Sequence, residues 1–514
     1  MVLNKNIMSD NRRIAKNTMF LYIRMFLSMI VSLYTSRVIL QILGIEDYGI
    51  YNVVGGIVTM FTFLNGSLGS ATSRYITFEL GRKDYNRLKK IFSTALLVHI
   101  SVAFIVVLLA ETIGLWFFYE KMVVPDERLD AAFWVYQISI LTTVVSITQV
   151  PYNADIIAHE NMKIYAYVGL IEVFARLGIV YLLLISPIDK LIFYAILLFS
   201  LSTIIALFYR AYCLKNYSES HFSVNKDKAL YKDMFKYTGS DMIGAVSVML
   251  QGQGINLLLN MFFGPVVNAA RAIAYQVQGA VTQFSANFMT AVRPQIIKSY
   301  ARGEFDSMWR LVIRSSCFSY YLMWLLCLPI MLEADTILSL WLGKYPEHTV
   351  YFLKLILILC LIQTVKNPRV TIFHATGKVF WSNITVGVVL CLAFPLAYIF
   401  LKMGGEPEDA FWAVNITMVA SEFVSVAVLK KFVDFSALKY FLQVHGRCLL
   451  VTFVSFILPF FLYNRFMEPS FLRLIYTVIL TTLSVLLSSL YLGMDKDIRI
   501  KLFDIVRTKV FKKK

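Results

Sequence analysis

The chain has 514 residues, 58% of them hydrophobic and only 16% charged, with a formal net charge of +17 and a mean hydropathy of +0.66. Soluble domains are about 45–50% apolar and about 25% charged, so these values exclude a soluble globular protein and predict an all-α polytopic membrane protein. A spanning helix needs roughly 20 mostly apolar residues, and about 14 such runs succeed one another with short polar joins, leaving no room for a soluble domain.

In chain order the predicted spans are 17–43, 48–72, 91–118, 131–150, 164–185, 191–213, 237–263, 266–291, 311–332, 349–372, 379–401, 409–429, 441–463 and 471–493. The first follows a basic stretch but far exceeds the roughly 7–15 residues of a signal-peptide core, so it is expected to be retained. The six cysteines lie in or beside the runs with no CxxC spacing, which implies neither disulfides nor a metal site.

Basic residues alternate sides. Arg12, Arg13 and Lys16 precede the first span, and Arg82, Lys83 and Arg87 follow the second. Similar groups follow the sixth, eighth, tenth (Lys366, Arg369, Lys378) and twelfth, while the opposite joins are mostly acidic, as at Asp126, Glu333 and Glu406. The excess of Lys and Arg on one side places both termini in the cytoplasm. The positive charge is therefore topogenic, and its scatter over short loops argues against a nucleic-acid partner. The tail at 495–514 reads either as a basic amphipathic helix on the anionic inner leaflet or as a solvated terminus.

The sequence echoes itself. A shift of 220 residues aligns Gly44 with Gly264, Arg82 with Arg302, Asp84 with Glu304 and Tyr85 with Phe305. A shift of 215 aligns "IIAHENMKIY" with "TIFHATGKVF", pairing His159 with His374. A six-span repeat enters the membrane twice from the same side, which predicts two lobes related by a pseudo-two-fold axis along the membrane normal, as in transporters that rock about a central site. The expected divisions are 1–220, 221–435, two further helices over 436–494, and the tail.

The opening "NTMFLYIRMFLSMIVSLYTSRVILQILGIEDYGIYNVVGG", with the junctions "SATSRYITFELGRKD" and "VPYNADIIAHENMKIYA", resembles polysaccharide-transport proteins of the O-antigen flippase type. These share a superfamily with lipid II flippases and multidrug and toxin extruders. The resemblance covers essentially the whole chain. It implies a V-shaped, two-lobe protein of the bacterial inner membrane that moves an undecaprenyl-diphosphate-linked oligosaccharide to the periplasmic face for surface polysaccharide, such as that of lipopolysaccharide. The implied partners are that lipid-linked oligosaccharide, membrane lipids and other polysaccharide-assembly proteins.

Passing a diphosphate and a hydrated glycan through hydrocarbon requires a polar, cationic groove, and charged residues inside spans are costly enough to mark it. Arg24 sits mid-span, with Ser28 within about 40° of it on the helix. Arg271 opens the eighth span, with Gln278 on its face, and Gln251 lies on the seventh. Asn52 leads inward from the outer turn. Arg24 and Arg271 are the expected phosphate partners, since arginine can fork two hydrogen bonds to phosphate; the alternative is an arginine tied to a helix-end carbonyl or snorkelling to the interface.

Acids at Glu111, Glu172, Asp241 and Glu422 are the candidates for a coupling H+ or Na+, although Arg176 four residues after Glu172 offers a neutralising pair. His159 and His374 read as interfacial packing, with pH sensing or headgroup contact as the other reading. No cofactor is expected. Two other functions remain. A multidrug extruder would favour an acidic or aromatic cavity, and a glycan polymerase or ligase would need a larger outward loop than 119–130 or 333–348, so an enzyme is not expected.

Overall fold

Hydrocarbon offers backbone N–H and C=O groups no partner, so a chain this apolar must pair them within its own segments. The computed structural model does so with helices, and no strand occurs among the described residues. Those are residues 2–60, parts of 69–80, 84–159, 161–223, 230–231, 246–466, 470–500 and 504. Side chains are described from residue 28 onward, except at 59, 162–163, 165–166, 287, 290–291, 294 and 462–466. The stretch "NGSLGS", Asp241 and all of the tail beyond 500 except Asp504 fall wholly or largely outside them.

The helices are α1 (Val2–Thr59), α2 (Tyr85–Glu120), α3 (Leu129–Ala158), α4 (Met162–Leu182), α5 (Lys190–Asn216), α6 (Val246–Phe263), α7 (Pro265–Ala301), α8 (Phe305–Leu332), α9 (Ala334–Leu342), α10 (Thr349–Thr376), α11 (Val379–Lys402), α12 (Pro407–Lys430), α13 (Ala437–Phe461) and α14 (Phe471–Gly493). Twelve of these helices contain a segment long and apolar enough to cross a membrane. The other two are α7, which is long but rich in Gln and Asn, and the short α9, which occupies the join expected to be a loop at 333–348. Because α1 turns at Gly44, its two parts serve as separate segments, and with α7 the described helices accommodate about 14 crossings.

Gly44 has φ 83° and ψ 171°, and Gly264, between α6 and α7, has φ 78°. Both belong to backbone regions that disfavour a Cβ, so the 220-residue alignment of the two glycines corresponds to the same backbone event. A Cβ on Gly44 would meet nothing within 4 Å, which leaves conformation as the whole cost. Gly44→Ala is therefore expected to destabilise by about 1–3 kcal/mol. Gly55→Ala, helical and equally open, should be neutral or stabilising. Thermal unfolding of the detergent-purified variants measures both, and equal effects would refute the argument.

The same shift aligns two helix starts. Asp84 caps α2 by accepting from the Arg87 N–H at 3.0 Å, and Glu304 occupies the N-cap of α8. The second echo needs a different register. The helices after the junction begin at Met162 and Val379, and the helices before it carry Pro151 and Pro368. Both pairs lie 217 apart, so helix geometry pairs the prolines and leaves His159 and His374 two positions out of register.

The chain divides into two compact units. Unit 1 comprises Met1–Ala245 with Phe263–Ala269, and unit 2 comprises Val246–Phe262 with Ala270–Lys514. In unit 1, α3 packs on α2 and α5, and α1 on α3 and α4. In unit 2, α8 packs on α10 and α14, α12 on α10 and α11, and α13 on α14. Leu449, Phe453, Leu472, Tyr476 and Leu483 of the last two helices are exposed, which suits helices facing lipid.

Ion pairs between elements sort the joins of each unit into two ends. Arg128, before α3, bonds Asp47 at 2.6 Å and Asp189 at 2.7 Å, tying the α1 turn, the α2–α3 join and the α4–α5 join together. In unit 2, Glu333 pairs with Arg473 at 3.0 Å and His348 with Glu408 at 2.7 Å. At the opposite ends, His159 meets Glu219, and Asp495 meets both Arg314 and Arg447. Burial raises the Asp495 carboxyl, but the two guanidiniums outweigh it and hold it below the usual range. Each of these pairs joins elements at one end only, as strict alternation of spans requires.

Candidate functional site

The polar residues of unit 2 gather where α6 leaves regular geometry. Leu250–Gly254 form a π turn, in which hydrogen bonding is loosened. Arg271, in the second turn of α7 and 6% exposed, donates from Nη2 to the Gly252 carbonyl at 2.7 Å and lies 3.9 Å from the Tyr275 ring centroid. Its Nε is buried without a hydrogen-bond partner, and among the described residues no carboxylate lies within ion-pair distance. The guanidinium is thus held by a carbonyl and a π face, neither of which cancels its charge. Gln251 is buried with Nε2 unbonded, Asn256 donates to Gln253 Oε1 at 3.3 Å, and Gln278 lies within reach of Cys360.

Arg24 lies in α1, but its side chain is outside the described residues. Ser28 is half-buried. Asn52 donates to its own helix at the Tyr48 carbonyl, 2.7 Å, and Tyr51, the 220-shift counterpart of Arg271, packs on Tyr194 with centroids 4.9 Å apart. On α4, Arg176 reaches Glu172 at 2.8 Å with the two side chains 47% and 36% exposed, and the Tyr34 and Tyr181 hydroxyls meet at 2.7 Å. An exposed ion pair midway along a spanning helix belongs against a wet cavity rather than hydrocarbon.

The third charged group is only half visible in the sequence. Glu422 on α12 is 3% exposed and accepts from Arg369 Nη2 at 2.8 Å, while Arg369 Nη1 donates to the Glu422 carbonyl at 3.1 Å. Arg369 is wholly buried, His445 Nε2 stands 3.8 Å from Glu422 Oε2, and Lys366 donates to Ser421 Oγ at 3.2 Å. By sequence, Lys366 and Arg369 group with the basic residues at the end of the tenth span, although 349–372 contains both. The structure places them inside α10, which continues to Thr376, and Arg369 neutralises an acid rather than marking a side. Glu111, in the π turn Ala110–Gly114, accepts from Gln137 Nε2 at 3.3 Å.

A sequence profile described as "Polysaccharide biosynthesis protein" matches residues 14–300, more than half of the chain. The chain belongs to the polysaccharide biosynthesis protein family. No curated protein sequence matches it. Among solved structures, the fold of this polysaccharide biosynthesis protein is similar to that of the lipid II flippase MurJ in an inward closed conformation, with TM-score 0.69 and 14% identity over 92% of this chain and 98% of that one. It is also similar to an inward-facing multidrug resistance MATE transporter of the MOP superfamily (TM-score 0.65, 12% identity, 78% and 94% covered) and to the MATE multidrug transporter DinF-BH (0.61, 14%, 81% and 95%). At such identities the likeness establishes a fold. The fold is the multi-pass helical fold of these membrane proteins.

Within that family fold, the two arginines chosen from the sequence fall in different units. The second arginine–carboxylate pair within the helices, Arg369–Glu422, was missed as a pair, although Glu422 was named, because its partners are on different helices. The interior position of Arg369, beside Pro368 with an apolar turn still to follow, was the available signal.

Proposed function

We propose that this protein is a flippase that carries a polyprenyl-diphosphate-linked oligosaccharide, with undecaprenyl as the carrier, across the bacterial inner membrane from the cytoplasmic to the outer face by alternating access. Both termini are cytoplasmic in this reading, and the product feeds a surface polysaccharide such as O-antigen. The family match supports it. The observation that carries it is Arg271, a buried guanidinium that among the described residues is held by a carbonyl and a ring and by no carboxylate. A cation kept uncompensated at such cost suits an anionic cargo, whereas an organic cation would be repelled. Arg24 is the second phosphate partner, with Ser28, Asn52, Gln251 and Gln278 offering polar groups to the headgroup and glycan.

A coupling H+ or Na+ belongs to the same proposal. Glu172 and Glu422 could serve only by exchanging Arg176 and Arg369 for the ion, and Asp241 lies outside the described residues. The test is transport in proteoliposomes. A fluorescent polyprenyl-diphosphate oligosaccharide should become accessible to a membrane-impermeant quencher at least tenfold faster than in protein-free vesicles, and a cationic dye should not accumulate. Dye transport without lipid movement would favour the drug-extruder reading.

A further inference from the structure

At the end of unit 1 opposite Arg128, three side chains from two segments converge. Asp155 is in the last turn of α3, His159 is its C-cap, and Glu219 follows α5 in the short turn Ser218–Ser220. His159 Nε2 stands 2.6 Å from Glu219 Oε1 and 3.7 Å from Asp155 Oδ1, and one ligand atom from each residue falls within 4.8 Å of the others. Asp155 and Glu219 are 0% and 3% exposed, against an apolar cluster that includes Ile156, Phe92 and Cys213.

We propose that this triad binds one divalent transition-metal ion of the zinc class. Two independent features support it. The first is an orphan acceptor: Asp155 Oδ1 is buried and accepts no hydrogen bond, while its other oxygen is held by Ser220 Oγ at 2.5 Å. A buried carboxylate oxygen left unbonded is expensive, and this one points at the imidazole nitrogen. The second is charge. With both carboxylates ionised, as a metal ligand requires, the cluster sums to −2, or −1 if the ring is protonated, and Arg210 of α5 is turned instead to Thr148 and the Tyr152 ring. A divalent ion with neutral imidazole brings the sum to zero, and any proton on Nε2 leaves as the metal enters.

The geometry suits such an ion. Tetrahedral coordination with bonds of about 2.0–2.2 Å sets ligand atoms roughly 3.4 Å apart, so Nε2 and Oε1 separate by under about 1 Å. The ring is fixed by stacking on Tyr217, with centroids 4.0 Å apart and planes 4° from parallel. Ser218 Oγ and Ser220 Oγ orient the two carboxylates from behind. One position remains for water on the side where His159 is partly exposed. The ion would staple the end of α3 to the segment after α5. This inference is independent of the transported cargo.

Untagged protein purified in detergent and stripped with chelator should take up one Zn2+ per chain. With Co2+ in its place, it should show the visible absorption of a low-symmetry N/O site. His159→Gln and Glu219→Gln should each weaken binding at least a hundredfold while eluting as monodisperse protein. Absence of stoichiometric binding by the wild-type protein would overturn the proposal, as would undiminished binding by His159→Gln. Either result would leave the triad as a hydrogen-bonded ion cluster. Should both variants fail to fold, the wild-type stoichiometry and Co2+ spectrum decide by themselves.

Discussion

Replacing Glu422 by glutamine is expected to cost this protein about 3–5 kcal/mol, because it leaves Arg369 buried and charged without its counter-ion. Arg369 is 0% exposed, its Nε already lacks a partner, and Lys366 on the same helix adds a second positive charge. His445, 3.8 Å from the carboxylate, could not compensate, since a neutral imidazole brings no negative charge. The double variant Glu422→Leu with Arg369→Met should recover most of the loss, because two apolar side chains of similar size remove both desolvation costs. Unfolding temperatures of the single and double variants in the same detergent give the answer. A single variant as stable as wild type would mean that the pair contributes nothing, and Glu422 would then be free to hold a coupling cation.

What could be read in the sequence was whatever lies within one helical turn or one backbone conformation. Gly44 and Gly264 were legible as a matched pair because only glycine readily takes the backbone both occupy. Asp84 and Glu304 aligned at the same shift, and both stand at helix starts, where Asp84 supplies an acceptor for the free Arg87 N–H. Glu172 and Arg176 stand four apart, and the structure joins them. The Arg369–Glu422 pair spans 53 residues and the His159–Glu219 contact 60, so neither follows from periodicity. Nor does the π turn that presents the Gly252 carbonyl to Arg271, since the polar run "QGQG" announces an irregularity without saying which one. Asp155 and His159 stood four apart in the sequence, but the turn that brings Glu219 to them is set by where α5 ends. The register of the second echo failed for a related reason: matching histidines outweighed matching prolines, although a proline inside a helix constrains the backbone and a terminal histidine does not.

Arg271→Ala is expected to abolish export of the surface glycan, with protein level close to wild type. Among the described residues the guanidinium makes one hydrogen bond, to the Gly252 carbonyl, and one ring contact, so its removal costs the fold one donor to a carbonyl that the Ile255 N–H already serves. A charged cargo loses more, since a hydrogen bond to an ionised group is worth about 1.5–3 kcal/mol, or roughly ten- to hundredfold in affinity. The loss is larger where two forked bonds act together. Arg271→Lys separates the structural from the functional role. Lysine keeps the charge and can still donate to Gly252, so stability should be preserved, but it cannot present the planar fork, and transport should stay at least tenfold below wild type. Arg24→Ala, tested beside it, should show the same export defect with the same preserved protein level. If export survives both alanine variants, the two arginines are scaffold rather than phosphate partners. If Arg271→Lys transports normally while Arg271→Ala fails only through lost stability, the carbonyl tie is the whole of that residue's role.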